Sequence, residues 1–92
     1  MQQSRNGSAE RIIAQVYPNP SRNSFNVELM SSDRRDLMMT LIDLSGTVLQ
    51  QKKMRCYEGR NLVSWDMNSY EAGAYFIVFE DLDLKMLKIV KH

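Results

Sequence analysis

The sequence is poor in what catalytic centres usually need. Its 92 residues contain one histidine, His92, the last residue, and one cysteine, Cys56. A lone terminal histidine supplies no ordinary Ser-His-Asp arrangement, and one cysteine with one histidine cannot assemble a zinc cage. One cysteine also forms no internal disulfide, so no covalent staple holds the fold. Charge of one sign is lacking as well: 12 Lys and Arg stand against 11 Asp and Glu, a net of +1. That balance exerts no overall pull toward DNA, anionic lipid or acidic substrates. No apolar stretch approaches the roughly 20 residues a membrane-spanning helix requires. Together these deficits come close to excluding an enzyme, and they leave no metal, cofactor or small-molecule site to assign.

What is present is ordinary globular composition, 43% hydrophobic and 25% charged, in a length that supports one domain and no second core. Residues 1–11 are polar and rich in small side chains, with Gly7-Ser8 in their middle, and read as a flexible linker. The domain itself is expected over residues 12–92. There, short apolar runs alternate with turn chemistry at intervals of about ten residues, the all-β pattern. Ile12–Tyr17 is the first strand expected, closed by Pro18-Asn19-Pro20, whose prolines fix φ and remove two donors. Ser24–Met30 alternates, with Phe25, Val27 and Leu29 on one face. Leu37–Leu44 does not alternate, and here a helix could compete. Ser45-Gly46 then reads as a two-residue hairpin turn. Thr47–Met54 turns polar after Leu49 and suits an edge strand. Arg60–Met67 places Val63, Trp65 and Met67 on one face. Ala74–Phe79 is apolar on both faces, as for a central strand covered on both sides, and Leu84–Lys91 is the last strand.

About seven short strands in a chain of this size imply two small antiparallel sheets packed face to face, an immunoglobulin-like β-sandwich. The expected core is Phe25, Val27, Leu29, Leu41, Val63, Trp65, Tyr75, Ile77 and Phe79.

Four segments in order carry a more specific signal. They are Val16-Tyr17-Pro18-Asn19-Pro20, then Leu41-Ile42-Asp43-Leu44-Ser45-Gly46-Thr47-Val48, then Tyr70-Glu71-Ala72-Gly73-Ala74-Tyr75-Phe76-Ile77-Val78, and finally Lys88-Ile89-Val90-Lys91. This series resembles the type A C-terminal sorting domain of cargo proteins of the type IX secretion system, found in the Bacteroidetes. The resemblance implies a secreted or cell-surface protein that reaches the outer membrane through the periplasm. It also implies two partners, the outer-membrane translocon that recognises the domain and a surface sortase that commonly removes it. Pro18, Asn19, Pro20, Asp43, Gly46, Gly73, Tyr75 and Lys88 to Lys91 are then the family's positions in this chain. The cut would fall before Ile12, where exposed small residues such as Gly7 and Ser8 favour proteolysis. Met1-Gln2-Gln3-Ser4 has neither the basic region nor the apolar core of a signal peptide, so the sequence reads as the end of a larger cargo protein.

Each of these residues also has a plainer reading. Pro18-Asn19-Pro20 makes a rigid turn, Asp43 and Gly46 shape a loop, Gly73 supplies an unusual backbone angle, and Tyr75 buries a ring with a wet hydroxyl. Lys85, Lys88 and Lys91 recur every three residues, so they do not share one face of a strand, and lysines there suit a solvated edge. The functional reading is that the terminal strand is the direct contact, since an extended end strand can add to a partner's sheet edge. Lys52-Lys53-Met54-Arg55 lacks interleaved aromatics and is no nucleic-acid site. The alternative function is an adhesion or carbohydrate-binding module of a secreted surface protein, with Tyr57 and Tyr70 as the aromatics available in loops.

Overall fold

A computed structural model describes residues 12–80 and 85–92. The described residues form seven strands: β1 (Ile12–Tyr17), β2 (Ser24–Ser31), β3 (Arg35–Asp43), β4 (Val48–Cys56), β5 (Gly59–Asp66), β6 (Gly73–Phe79) and β7 (Lys85–Lys91). They make a three-stranded sheet in the order β1-β2-β5 and a four-stranded sheet in the order β4-β3-β6-β7, with every pair antiparallel. This is the two-sheet arrangement of an immunoglobulin-like sandwich. The chain pairs as hairpins at β1-β2, β3-β4 and β6-β7, and crosses between sheets in the connections that separate them.

The core lies between the sheets and follows from the period-two alternation of β2 and β6. Phe25, Val27 and Leu29 have no exposure, and neither do Leu41, Trp65 and Ile77. Phe25 and Trp65 are register partners on β2 and β5, and their rings stack with centroids 6.1 Å apart. Val63 departs from expectation: it is half-buried and packs against the rim of the core, because β5 is an edge strand. Leu37, Met39, Cys56, Met67 and Ile89 join the core with no exposure. Leu37 and Met39 sit in the run whose apolar residues do not alternate. That run is a strand, with Met38 and Ile42 half-buried on its other face.

Two further expectations are corrected. The connection after β3 takes four residues, 44–47, rather than two, and the register shifts at Leu41/Ile42 so that Leu49 is the extra residue on β4. β6 is flanked by β3 and β7 as a central strand should be, but only its Tyr75, Ile77 and Phe79 face is closed. Phe76 and Val78 are half-buried on the outer face of the sheet, shielded sideways by neighbours rather than by another layer. β4 does form an edge, as its polarity suggests.

Truncating a core side chain that sits where the sheets meet tests this packing. Leu41→Ala is expected to lower stability in urea by about 2–5 kcal/mol through lost burial and the cavity left behind. That is a large share of the about 5–15 kcal/mol available to a domain.

Candidate functional site

Residues 18–23 connect β1 to β2 in the three-stranded sheet, yet they lie against β7 of the other sheet. Pro18 and Pro20 offer no N–H, and the hydrogen bonds this segment donates to β7 come from Asn19 and Ser21. Both the Tyr17–Pro18 and Asn19–Pro20 peptide bonds are cis. The Asn19 side-chain amide donates from Nδ2 to the Lys88 carbonyl at 2.9 Å and accepts from the Val90 N–H at Oδ1 at 3.0 Å. The Ser21 N–H donates to the Val90 carbonyl and the His92 N–H donates to the Ser21 carbonyl, each at 2.8 Å. Ser21 and Lys91 thereby form an isolated parallel bridge. An asparagine amide carries one acceptor and a donor group, like a peptide unit, so Asn19 substitutes for a missing strand residue along the edge. The terminal strand is therefore not a solvated edge along its whole length.

Lys91 ties down a second segment. Its Nζ donates to the carbonyls of Met67 at 2.7 Å and Tyr70 at 2.5 Å, in the connection between β5 and β6. The Tyr70 ring lies 5.8 Å from that of Tyr75, and its hydroxyl accepts from Gln50 Nε2 at 2.7 Å. Tyr75, 7% exposed, donates its hydroxyl to the Glu71 carbonyl four residues upstream at 2.5 Å, the geometry of a tyrosine corner. Burial, helped by the Glu71 and Asp43 carboxylates, pushes the Tyr75 phenol above its ordinary range. Gly73, at φ +155°, opens the strand beside Lys91 in the register.

Asp43 organises the third segment. Its carboxylate Oδ1 accepts from the Ser45 hydroxyl at 2.7 Å and from the Ser45 and Thr47 N–H groups at 2.9 Å. The Ser45 hydroxyl and the Thr47 amide, chiefly, hold the carboxyl below its ordinary value of 3.8. Gly46 adopts φ +93°, where a side chain would be strained although the space around it is open.

These segments, far apart in sequence, meet at one end of the four-stranded sheet. Tyr75 pairs with Asp43 on one side and with Ile89 on the other, and Gly73 pairs with Lys91. A shallow groove of about 340 Å³ runs between the Asp43 turn and the segment leading into Tyr75. Ile89 anchors the end strand in the core with no exposure, while the Lys88 side chain is exposed on the outer face. Gly7 and Ser8 lie outside the described residues. Ser21, Gln50 and the carbonyls capped by Lys91 complete the corner, and sequence reasoning did not find them; Tyr70, expected as an aromatic in a loop, joins it through Gln50 and the Tyr75 ring. A serine after the second proline is the one local hint, as the first residue there able to donate an N–H.

The corner is built to hold shape. Among the described residues no three His, Cys, Asp or Glu side chains gather as metal ligands. Cys56 is fully buried at the far end of β4, and burial pushes its thiol up, away from the reactive thiolate.

The described residues, seven antiparallel strands in two sheets with the terminal strand latched from the first loop, are in class an all-β sandwich domain. The family model of the secretion system C-terminal sorting domain matches residues 15–92, a span that includes Asn19, Asp43, Tyr75 and Lys91. The chain belongs to this family, the C-terminal sorting domains of type IX secretion. Such domains are generally non-catalytic, mark a secreted or cell-surface protein, and engage the secretion system. No curated protein matches the chain.

Two substitutions probe the corner. Asn19→Ala deletes two hydrogen bonds and leaves the Lys88 carbonyl and Val90 N–H to water, an expected loss of about 1–2 kcal/mol in urea titration. Asp43 has a folded pKa depressed below its unfolded value, so its contribution is full above about pH 4 and is lost as pH falls through the folded value. Asp43→Asn is expected to flatten that part of the stability–pH curve, measured by thermal melts between about pH 2 and pH 6.

Proposed function

We propose that residues 12–92 are a non-catalytic export signal, read in folded form by the outer-membrane translocon of type IX secretion. Residues 1–11 link it to the cargo, and the surface sortase removes the domain by cutting before Ile12, in the region of Gly7 and Ser8. The cargo passes through the periplasm and the outer membrane to reach the surface or the medium. The observation that best supports this reading is the convergence at one sheet end of Pro18-Asn19-Pro20, Asp43, Gly73, Tyr75 and the segment from Lys88 to Lys91. A linear tag needs no such convergence, whereas a surface read as a shape does. Rigidity also suits recognition, since a pre-ordered segment loses little entropy on binding.

A carbohydrate-binding module would present aromatic rings side by side for stacking. Tyr57 and Tyr70 lie beyond opposite ends of β5, and Tyr70 is half-buried with its hydroxyl bonded to Gln50. No observation favours that reading.

The test is export. A periplasmic fluorescent reporter carrying residues 1–92 at its C-terminus is placed in a bacterium with an intact type IX system and in a translocon-null strain. Reporter is expected on the surface or in the medium of the intact strain alone, and deletion of residues 88–92 is expected to trap it in the periplasm. Equal trapping of the complete fusion in both strains would refute the sorting reading.

A further inference from the structure

The latch on β7 covers less of that strand than a paired strand would. In β7 the even-numbered residues turn their backbone groups away from β6, as the Val90 N–H and the Lys88 and Val90 carbonyls show. The segment from Asn19 to Ser21 meets four of these outward groups, on Lys88, Val90 and His92. By the same alternation the Lys88 N–H and both backbone groups of Met86 also face outward, and among the described residues none of them meets a partner. Pro18 and Pro20 are the reason the latch stops short: neither can extend it as a ladder. Pro18, Asn19 and Pro20 are also exposed, so half of the grip is an asparagine side chain held from the solvent side.

Resting on the sorting reading, we infer that the outer edge of β7 is the surface to which a partner protein adds an extended strand, with the Asn19–Ser21 segment as its exchangeable occupant. A strand running along residues 86–92 would replace the four hydrogen bonds of the latch and gain the three outward groups it leaves uncovered. Main-chain pairing would supply affinity, and the exposed Lys88 and Met86 side chains on the outer face would lie beside the incoming strand. Until then the latch shields the edge from indiscriminate pairing.

Lys88→Pro isolates this role. It removes the Lys88 N–H, which neither the latch nor the β6 ladder uses, and keeps the carbonyl that Asn19 binds. In the reporter fusion, Lys88→Pro is expected to retain the parent's melting behaviour and to export about tenfold or more below Lys88→Ala, which loses the same side chain but keeps the N–H; that ratio is the loss of roughly one main-chain hydrogen bond. Met86→Pro deletes another uncovered donor and serves if Lys88→Pro fails to fold. Export of the folded proline variant at the level of Lys88→Ala would overturn the inference and leave the sorting reading standing; failure of the parent fusion itself would sink both. Exchangeability is read separately by amide hydrogen exchange on the full chain. The Val90 and His92 amides are expected to exchange about a hundredfold faster than those of Ile89 and Lys91, as in a locally opening element. Equal protection of all four would mark a permanent seam and overturn the latch.

Discussion

Closing the edges of two small sheets is the constraint on which this structure depends. A sandwich leaves four edge strands, here β1, β5, β4 and β7, whose outward backbone groups must find water or partners. On the side where β1 and β7 lie together, the first loop supplies the closure through Asn19 and Ser21. On the side where β4 faces β5, side chains supply it: Lys52 Nζ donates to the Ser64 carbonyl at 2.7 Å and Gln50 Nε2 reaches the Asp66 carbonyl at 3.4 Å. The Lys52 ammonium also lies 4.8 Å from the centroid of the buried Trp65 ring, so one residue closes an edge and covers the core. Both seams join one sheet to the other.

That arrangement explains why Asn19, Asp43, Tyr75 and Lys91 are scattered in sequence yet adjacent in space. Asn19 matters because β7 has an outward edge, and Lys91 matters because the connection before β6 exposes carbonyls. Tyr75 carries the link inward, paired in register with Asp43 on one side and Ile89 on the other and with its hydroxyl on the Glu71 carbonyl. A domain of this size has little stability to spare, and hydrogen bonds that satisfy its own ends also give that end a fixed shape.

Much of the fold was legible in the sequence because one face of each strand is buried. Phe25, Val27 and Leu29 alternate, and the prolines and turn residues bound the strands within one or two positions. Leu37 and Met39 were not singled out, since Met38 and Ile42 between them are apolar too and hide the period. The Asp43 turn was anticipated, but not its four-residue length, which depends on Asp43 accepting from Thr47 as well as Ser45. The site was legible as residue types and not as contacts. Nothing near Asn19 in the sequence says that its partner is 71 residues away at Val90, because sheet-to-sheet contacts leave no local period. Lys52 was legible as a charge on an edge, while its position over Trp65 was not.

The first loop also fixes how the domain responds to tension on the chain that precedes it. β1 pairs with β2 alone, starting with Ile12 opposite Ser31, so a pull from the N-terminal side would undo that ladder in sequence, like a zip. Beyond Tyr17 the chain passes into the segment gripped by β7, where the force would meet several hydrogen bonds in parallel and pass into the other sheet. The segment that closes an edge is thus also the point where traction from an attached protein is handed to the whole body of the domain.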